Sequence, residues 1–232
     1  MPYRRLPNTD QARLRALKAA LDEGSKYYPF DLAYPTKLHL DLKSFLPQFE
    51  QSVNQYNSSK DRQAQIGKQL SECFKSSKIY LSHFIQVVNF SIIRKELKPE
   101  VREEYGMDID DKAVPELGTE AQLLQWGAKV IPAEEKRMAL GGSRIYNPSI
   151  AMVKIKFEKF KECYNNHKNL LSTTQKMLEK VSELRAQADA IILNLWNSVE
   201  ETYNELEPSK KREQSAKYGL VYVFRKEEKE LN

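Results

Sequence analysis

Three histidines, two cysteines and a scatter of carboxylates are the residues of this chain whose chemistry could reach beyond packing. His39, His83 and His167 each lack a glutamate three residues earlier, so the Glu-x-x-His pairs with which helical bundles hold two irons are missing. No His-Glu-x-x-His or Cys-x-x-Cys occurs, and neither a metal nor another cofactor has local support. Cys73 and Cys163 stand in no metal or redox spacing and read as two small buried thiols in a reducing compartment. Asp108, Asp110 and Asp111 open like a calcium loop, yet the sixth-position glycine and twelfth-position glutamate are not where that loop requires them. Gly141-Gly142 follows Met138-Ala139-Leu140 as a helix stop and does not precede the Lys-Ser or Lys-Thr of a phosphate loop. No catalytic, cofactor-binding or metal residue is assigned.

Two looser constellations remain. Trp126, Glu134, Arg137 and Asn147 bring an aromatic face, opposite charges and an amide together near a loop, the setting in which interaction sites are found. Arg4, Arg5, Arg13, Arg15 and Lys18 crowd the start of the chain and could face a polyanion such as nucleic acid. The charge is unevenly spread: residues 1–98 hold 16 Lys and Arg against 9 Asp and Glu, whereas residues 99–147 hold 6 against 10. The basic first part could equally face the acidic connector of its own chain or of a second copy.

The elements that would position these residues are helices. Only 8 Gly and 10 Pro occur in 232 residues, too few for a fold of strands and turns. Asn8 or Thr9 can cap a helix whose apolar positions Leu14, Leu17 and Leu21 keep helical spacing until Gly24. Tyr27-Tyr28-Pro29-Phe30 and Ala33-Tyr34-Pro35 then read as an extended apolar strap. From Leu38 to Val88 the apolar phase holds for one long helix, with a polar gap near Ser58 to Gln63 and with Pro47 as a first-turn residue or a kink. From Ser149 to Glu207 there is neither Gly nor Pro, and a second apolar stripe, including Leu171 and Leu178, runs throughout. A break of each long helix at Tyr56-Asn57 and Tyr164-Asn165 is the competing reading. Helices this long need a partner along the seam, and each is the obvious partner of the other.

The order of landmarks repeats. Phe49-Glu50, Tyr56-Asn57, Lys60, Lys68, Leu70 and Asn89 correspond at one constant offset to Phe157-Glu158, Tyr164-Asn165, Lys168, Lys176, Leu178 and Asn197. Each long helix ends at a proline, Pro99 or Pro208, and is followed by Tyr105-Gly106 or Tyr218-Gly219. The run Leu220-Val221-Tyr222-Val223-Phe224 is the most β-prone in the chain, and Met107-Asp108-Ile109-Asp110 alternates in the equivalent place; the two could pair as a short ribbon, and otherwise the 220–224 strand is to be covered by the Tyr146 region or by another subunit. Lys226 to Glu230 reads as a solvated tail.

The connector from Gln125-Trp126-Gly127 through Glu134-Glu135-Lys136-Arg137 to Tyr146-Asn147-Pro148-Ser149 resembles that of a family of uncharacterised, internally duplicated all-α proteins of gut Bacteroidetes. The resemblance implies no known activity. In the residues themselves, Asn147 is read as the helix cap, with Pro148 in the first turn.

The expected fold is therefore all-α: an antiparallel bundle of long helices built from two pseudo-symmetric repeats, 1–110 and 111–232, fused into one domain. The expected function is that of a non-enzymatic helical interaction or scaffold protein. It would be cytoplasmic, without a membrane segment, and would bind a protein partner or itself as a homodimer. A polyanion- or nucleic-acid-binding protein is the alternative, and a small-molecule enzyme or binder with a cavity between helices is the third reading.

Overall fold

In the computed structural model, which describes residues 2–224, two long helices dominate an all-α fold. The elements run β1 (Tyr3–Arg4), α1 (Asp10–Ser25), α2 (Thr36–Ile93), α3 (Val101–Glu104), α4 (Glu120–Ala139), α5 (Ile150–Thr202), α6 (Pro208–Lys217) and β2 (Tyr222–Val223). The expected tail at Lys226 to Glu230 lies outside the described residues. Both long helices are continuous: 58 residues in α2 and 53 in α5. Neither breaks at Tyr56 or Tyr164.

The chain divides into two compact units that cut across the sequence halves 1–110 and 111–232. Unit 1 comprises Met1–Lys60 with Thr173–Asn232, and unit 2 comprises Asp61–Ser172. Each is thus assembled from one part of each long helix. In unit 2, Phe74 stacks edge-on to Phe160 at 5.9 Å between centroids, and Gly67 lies one side chain away from His167. Rising residue numbers on α2 therefore meet falling numbers on α5, which is the antiparallel arrangement.

The core of unit 1 gathers Leu17, Leu42, Phe49, Val181, Ile192 and Trp196. That of unit 2 gathers Leu70, Phe84, Leu123, Val130, Val153 and Phe160. The apolar stripe is not uniform. Leu70 is buried, but its counterpart Leu178 is only half-buried and Leu171 is exposed. Where the stripe thins, Ser59 and Thr174 in unit 1 join their hydroxyls at 2.8 Å, so the seam is bridged by a satisfied polar pair.

Several local expectations are corrected. Pro47 sits in the twelfth position of α2, not in its first turn, and Pro132 lies inside α4. Both prolines are exposed, and so are Lys43 and Ala128, whose carbonyls lose their helical donors; water can serve those carbonyls. The strap is buried only at Ala33 and Tyr34, whereas Tyr27, Tyr28 and Phe30 form an exposed turn closed by the Phe30 N–H on the Tyr27 carbonyl. Asn147 does not cap α5. It is exposed at φ 57°, and Ser149 takes the cap by accepting the Met152 N–H on its side chain.

The strand within Leu220 to Phe224 forms, but its partner is the amino terminus. Tyr3 pairs with Val223 and Arg4 with Tyr222, antiparallel. Met107 to Asp110 instead makes a turn, because its backbone is claimed locally. Asp108 Oδ1 accepts the Asp110 N–H, and the Asp108 carbonyl accepts Arg102 Nε at 2.7 Å.

Candidate functional site

Helix α4 begins with a reciprocal cap: the Thr119 hydroxyl accepts the Gln122 N–H, and the Gln122 side chain accepts the Thr119 N–H. From there Leu123, Gly127, Val130, Glu134 and Arg137 are all buried, a stepping of four and three that places a glutamate and an arginine on the apolar face. Glu134 is fully buried, at 0%, and Arg137 is 8% exposed. The pair is bidentate, with Arg137 Nε donating to Glu134 Oε2 at 2.6 Å and Nη2 donating to Oε1 at 2.8 Å.

Two further contacts close this network. The Tyr105 hydroxyl, just past α3, donates to Glu134 Oε2, and Arg137 Nη2 also donates to the Ser143 carbonyl at 2.6 Å. Burial first, and then the bond to Glu134, push the Tyr105 phenol far above its ordinary range, so it remains a protonated donor. The hydrogen bond to Glu134 outweighs burial and raises Arg137 as well. Both oxygens of Glu134 are engaged, and the arrangement locks α3, α4 and the following loop together. Chemically it is a closed ion pair and not a nucleophile with its base.

A second buried cation stands nearby in the sequence. Arg102, 3% exposed, is held by neutral acceptors: the carbonyls of Asp108 and Ala113 and the amide oxygen of Asn89. Asn89 in turn donates to the Lys112 carbonyl at 3.0 Å. This clamp holds the 107–113 segment against α2.

Of the four nominated residues, the structure brings only Glu134 and Arg137 together. Trp126 is half-buried elsewhere on α4, with the Lys129 ammonium 5.0 Å from its ring centroid. Asn147 lines a separate crease of about 600 Å³ in unit 2, shared with Ile79, Tyr80, His83, Tyr146 and Met152. Tyr105 and Arg102 were missed by sequence reasoning because Tyr105 finds its partner 29 residues on and Arg102 is held by carbonyls and an amide that no residue pattern marks; the stepping of four and three from Leu123 was the signal that could have placed Glu134 and Arg137 on the buried face.

The five basic residues near the amino terminus divide in two. Arg4 donates to Glu200 at 2.8 Å and to Asn197 at 2.9 Å, Arg13 grips Asp189 with two bonds of 2.7 and 2.9 Å, and Lys18 pairs with Glu50. Their charge is compensated within unit 1. Arg5 and Arg15 are exposed, and among the described residues neither meets a carboxylate. They line a groove of about 500 Å³ in unit 1.

The two cysteines are occupied in packing, whereas His83 is exposed at the crease it shares with Asn147. Cys73 and Cys163 are both unpaired and meet in the core of unit 2. Burial, and then Cys163 beside it, push the Cys73 thiol up to about 11, which removes the thiolate on which reactivity depends. Among the described residues no group of three or more His, Cys, Asp or Glu is arranged to hold a metal ion. No helix among them is long and apolar enough to cross a membrane.

His39 is 3% exposed, with Nδ1 3.0 Å from the Tyr34 hydroxyl and Tyr28 stacked at 4.9 Å between centroids. The Tyr34 hydroxyl spends its one proton on the Ala20 carbonyl, so Nδ1 must carry the hydrogen between the two rings. Burial, and then the charge of Lys43, hold the imidazole below its ordinary value of 6.5. The unfolded chain therefore takes up a proton at about pH 6.5, before the folded chain does. The stability present above that pH is lost as pH falls toward the folded value. The melting temperature is expected to drop on acidification from pH 7 to 5, with a shallower slope in His39→Gln; equal slopes would remove His39 as the cause.

No protein-family model matches this chain, and comparisons with curated proteins and with solved structures find no match.

Proposed function

We propose that this protein is a non-enzymatic, internally duplicated helical interaction protein of the cytoplasm that binds a second copy of itself. The observation that carries this reading is the crease of unit 2. Ile79 is 62% exposed, Tyr146 68% and Met152 41%, and all three converge on it. Ile155, one turn beyond Met152 on α5, is also exposed. Large apolar side chains gathered at one concave place, with His83 and Asn147 beside them, have the composition of a contact surface. The buried charges offer no competing chemistry, since Glu134 spends both oxygens on Tyr105 and Arg137.

Duplication is supported by the order of elements, short, long, short, which occurs twice. Thr9 and Thr119 cap the first helix of each set, and Gly106 and Gly219 follow the last at φ 72° and 83°. A nucleic-acid partner is less well supported, because Arg4, Arg13 and Lys18 are already neutralised.

Light scattering coupled to size exclusion tests the reading. Wild-type protein at micromolar concentration should elute with twice the chain mass, and Ile79→Asp with Met152→Asp should elute as a folded monomer. A wild-type monomer at every concentration and salt would refute self-association.

A further inference from the structure

The groove in unit 1 is a second, differently built place. Helix α1 turns Ala12, Ala16 and Ala19 toward it, positions four and three apart on one face, so no long side chain fills the space. Trp196, 1% exposed, contributes to the lining with Leu220 and Val221. The opposite wall can come close only because residue 219 is glycine: a Cβ there would sit 2.9 Å from the Ala16 Cα and carbonyl oxygen, and its φ is 83°.

Charge at the groove is one-sided. Among the described residues its lining contains Arg5 and Arg15 and no Asp or Glu. The adjoining Arg4 and Arg13 show how this surface treats cations it uses for folding, since each is tied to Glu200 or Asp189. Arg5 and Arg15 have no such tie among the described residues. The amino-terminal end of α1 does not supply the anion site, because the Thr9 hydroxyl already occupies the Ala12 N–H and Asp10 places a carboxylate in the first turn.

We infer that this groove binds a small apolar carboxylate, with Arg5 and Arg15 holding the carboxylate and the alanine face, Leu6 and Val221 taking the apolar body above the buried Trp196. A volume of about 500 Å³ lies within the range of small-molecule sites and accepts a medium-length acyl chain. A polyanion would find only two cations here and would set its charge against apolar wall, so an amphipathic monoanion matches the lining better. The inference stands independently of self-association, which concerns unit 2.

Dodecanoate is the probe, titrated below its micellar range by calorimetry and by Trp196 fluorescence in a Trp126→Phe background. One saturable site per chain is expected. Arg5→Ala with Arg15→Ala should weaken it at least tenfold, and Ala12→Leu should abolish it by filling the groove, with circular dichroism unchanged in both. Dodecyltrimethylammonium, with the same tail and opposite charge, should bind at least tenfold more weakly than dodecanoate. No saturable binding to the wild type, equal affinity for the cation, or full affinity in both variants would each overturn the inference.

Discussion

Glu134→Ala should destabilise unit 2 by about 3–5 kcal/mol, the range for removing one partner of a buried ion pair. The expectation does not rest on the strength of the pair. It rests on what the substitution leaves behind: Arg137, 8% exposed, would keep its charge with only the Ser143 carbonyl as acceptor. The Tyr105 hydroxyl, on a fully buried side chain, would lose its acceptor entirely. The unsatisfied hydroxyl accounts for about 1–3 kcal/mol of that loss. Glu134→Gln keeps an acceptor for Tyr105 but not the negative charge, so an intermediate loss is expected. The informative variant is Glu134→Leu with Arg137→Met, in which both charges go together. Replacing a buried pair by apolar side chains is often neutral, so the double variant should recover most of the stability lost in Glu134→Ala. Urea unfolding of the full chain measures all three, and hydrogen exchange on α4 reports whether the loss is confined to unit 2. A loss below about 1 kcal/mol for Glu134→Ala would mean that water or another acceptor reaches Arg137, and the closed network would be wrong.

What the sequence made legible follows from how far apart the interacting residues are. The long helices were readable because helical phase is a local property: Leu42, Phe49, Phe84 and Val88 keep it across the polar gap, and all four are buried. The Thr9 and Thr119 caps are equally local, each bonding three residues ahead. The strand partner was not readable, because Tyr3 and Val223 meet across nearly the whole chain and the amino-terminal strand is two residues long. Local alternation at Met107 to Asp110 pointed to a strand, and the carboxylate and carbonyl of Asp108 prevailed by fixing a turn. The pairing within the basic cluster was hidden for the same reason. Nothing near Arg4, Arg13 or Lys18 in sequence announces Glu200, Asp189 or Glu50, which only folding places against them. At the candidate site, Glu134 and Arg137 were named for their charge beside a loop. Their meaning changed once Tyr105 joined them, from members of an interaction site beside a loop to a completed internal pair.

Gly127→Ala poses the sharpest conflict between a local gain and a tertiary cost. Alanine should stabilise an isolated α4 by roughly 1 kcal/mol, since glycine is among the poorest helix formers. The β-carbon it brings would lie 2.2 Å from Cε2 of Phe157 and 2.5 Å from Cδ2, far inside carbon contact at about 3.5–4 Å. The ring lines, with Gly127, a groove of about 460 Å³, yet yielding into it would break the packing that holds the ring. Phe157 is 5% exposed, tilts against Phe160 at 6.4 Å between centroids, and is covered by the Lys161 ammonium 5.6 Å away. Overpacking of this kind costs roughly 1–3 kcal/mol, and a larger side chain costs more, so a net loss is expected for alanine and a deeper one for leucine. The glycine is therefore there for the close approach of α4 to α5, at the expense of helix propensity. Shortening the ring tests this directly, because Phe157→Leu removes the atoms that the new methyl would strike. In a double-mutant cycle the two substitutions should couple favourably by about 1 kcal/mol or more, the single losses not adding. Were Gly127→Ala to raise the stability by the full propensity gain, the ring would have moved aside without cost, and the tight seat of α4 on α5 would not be what selects glycine at this position.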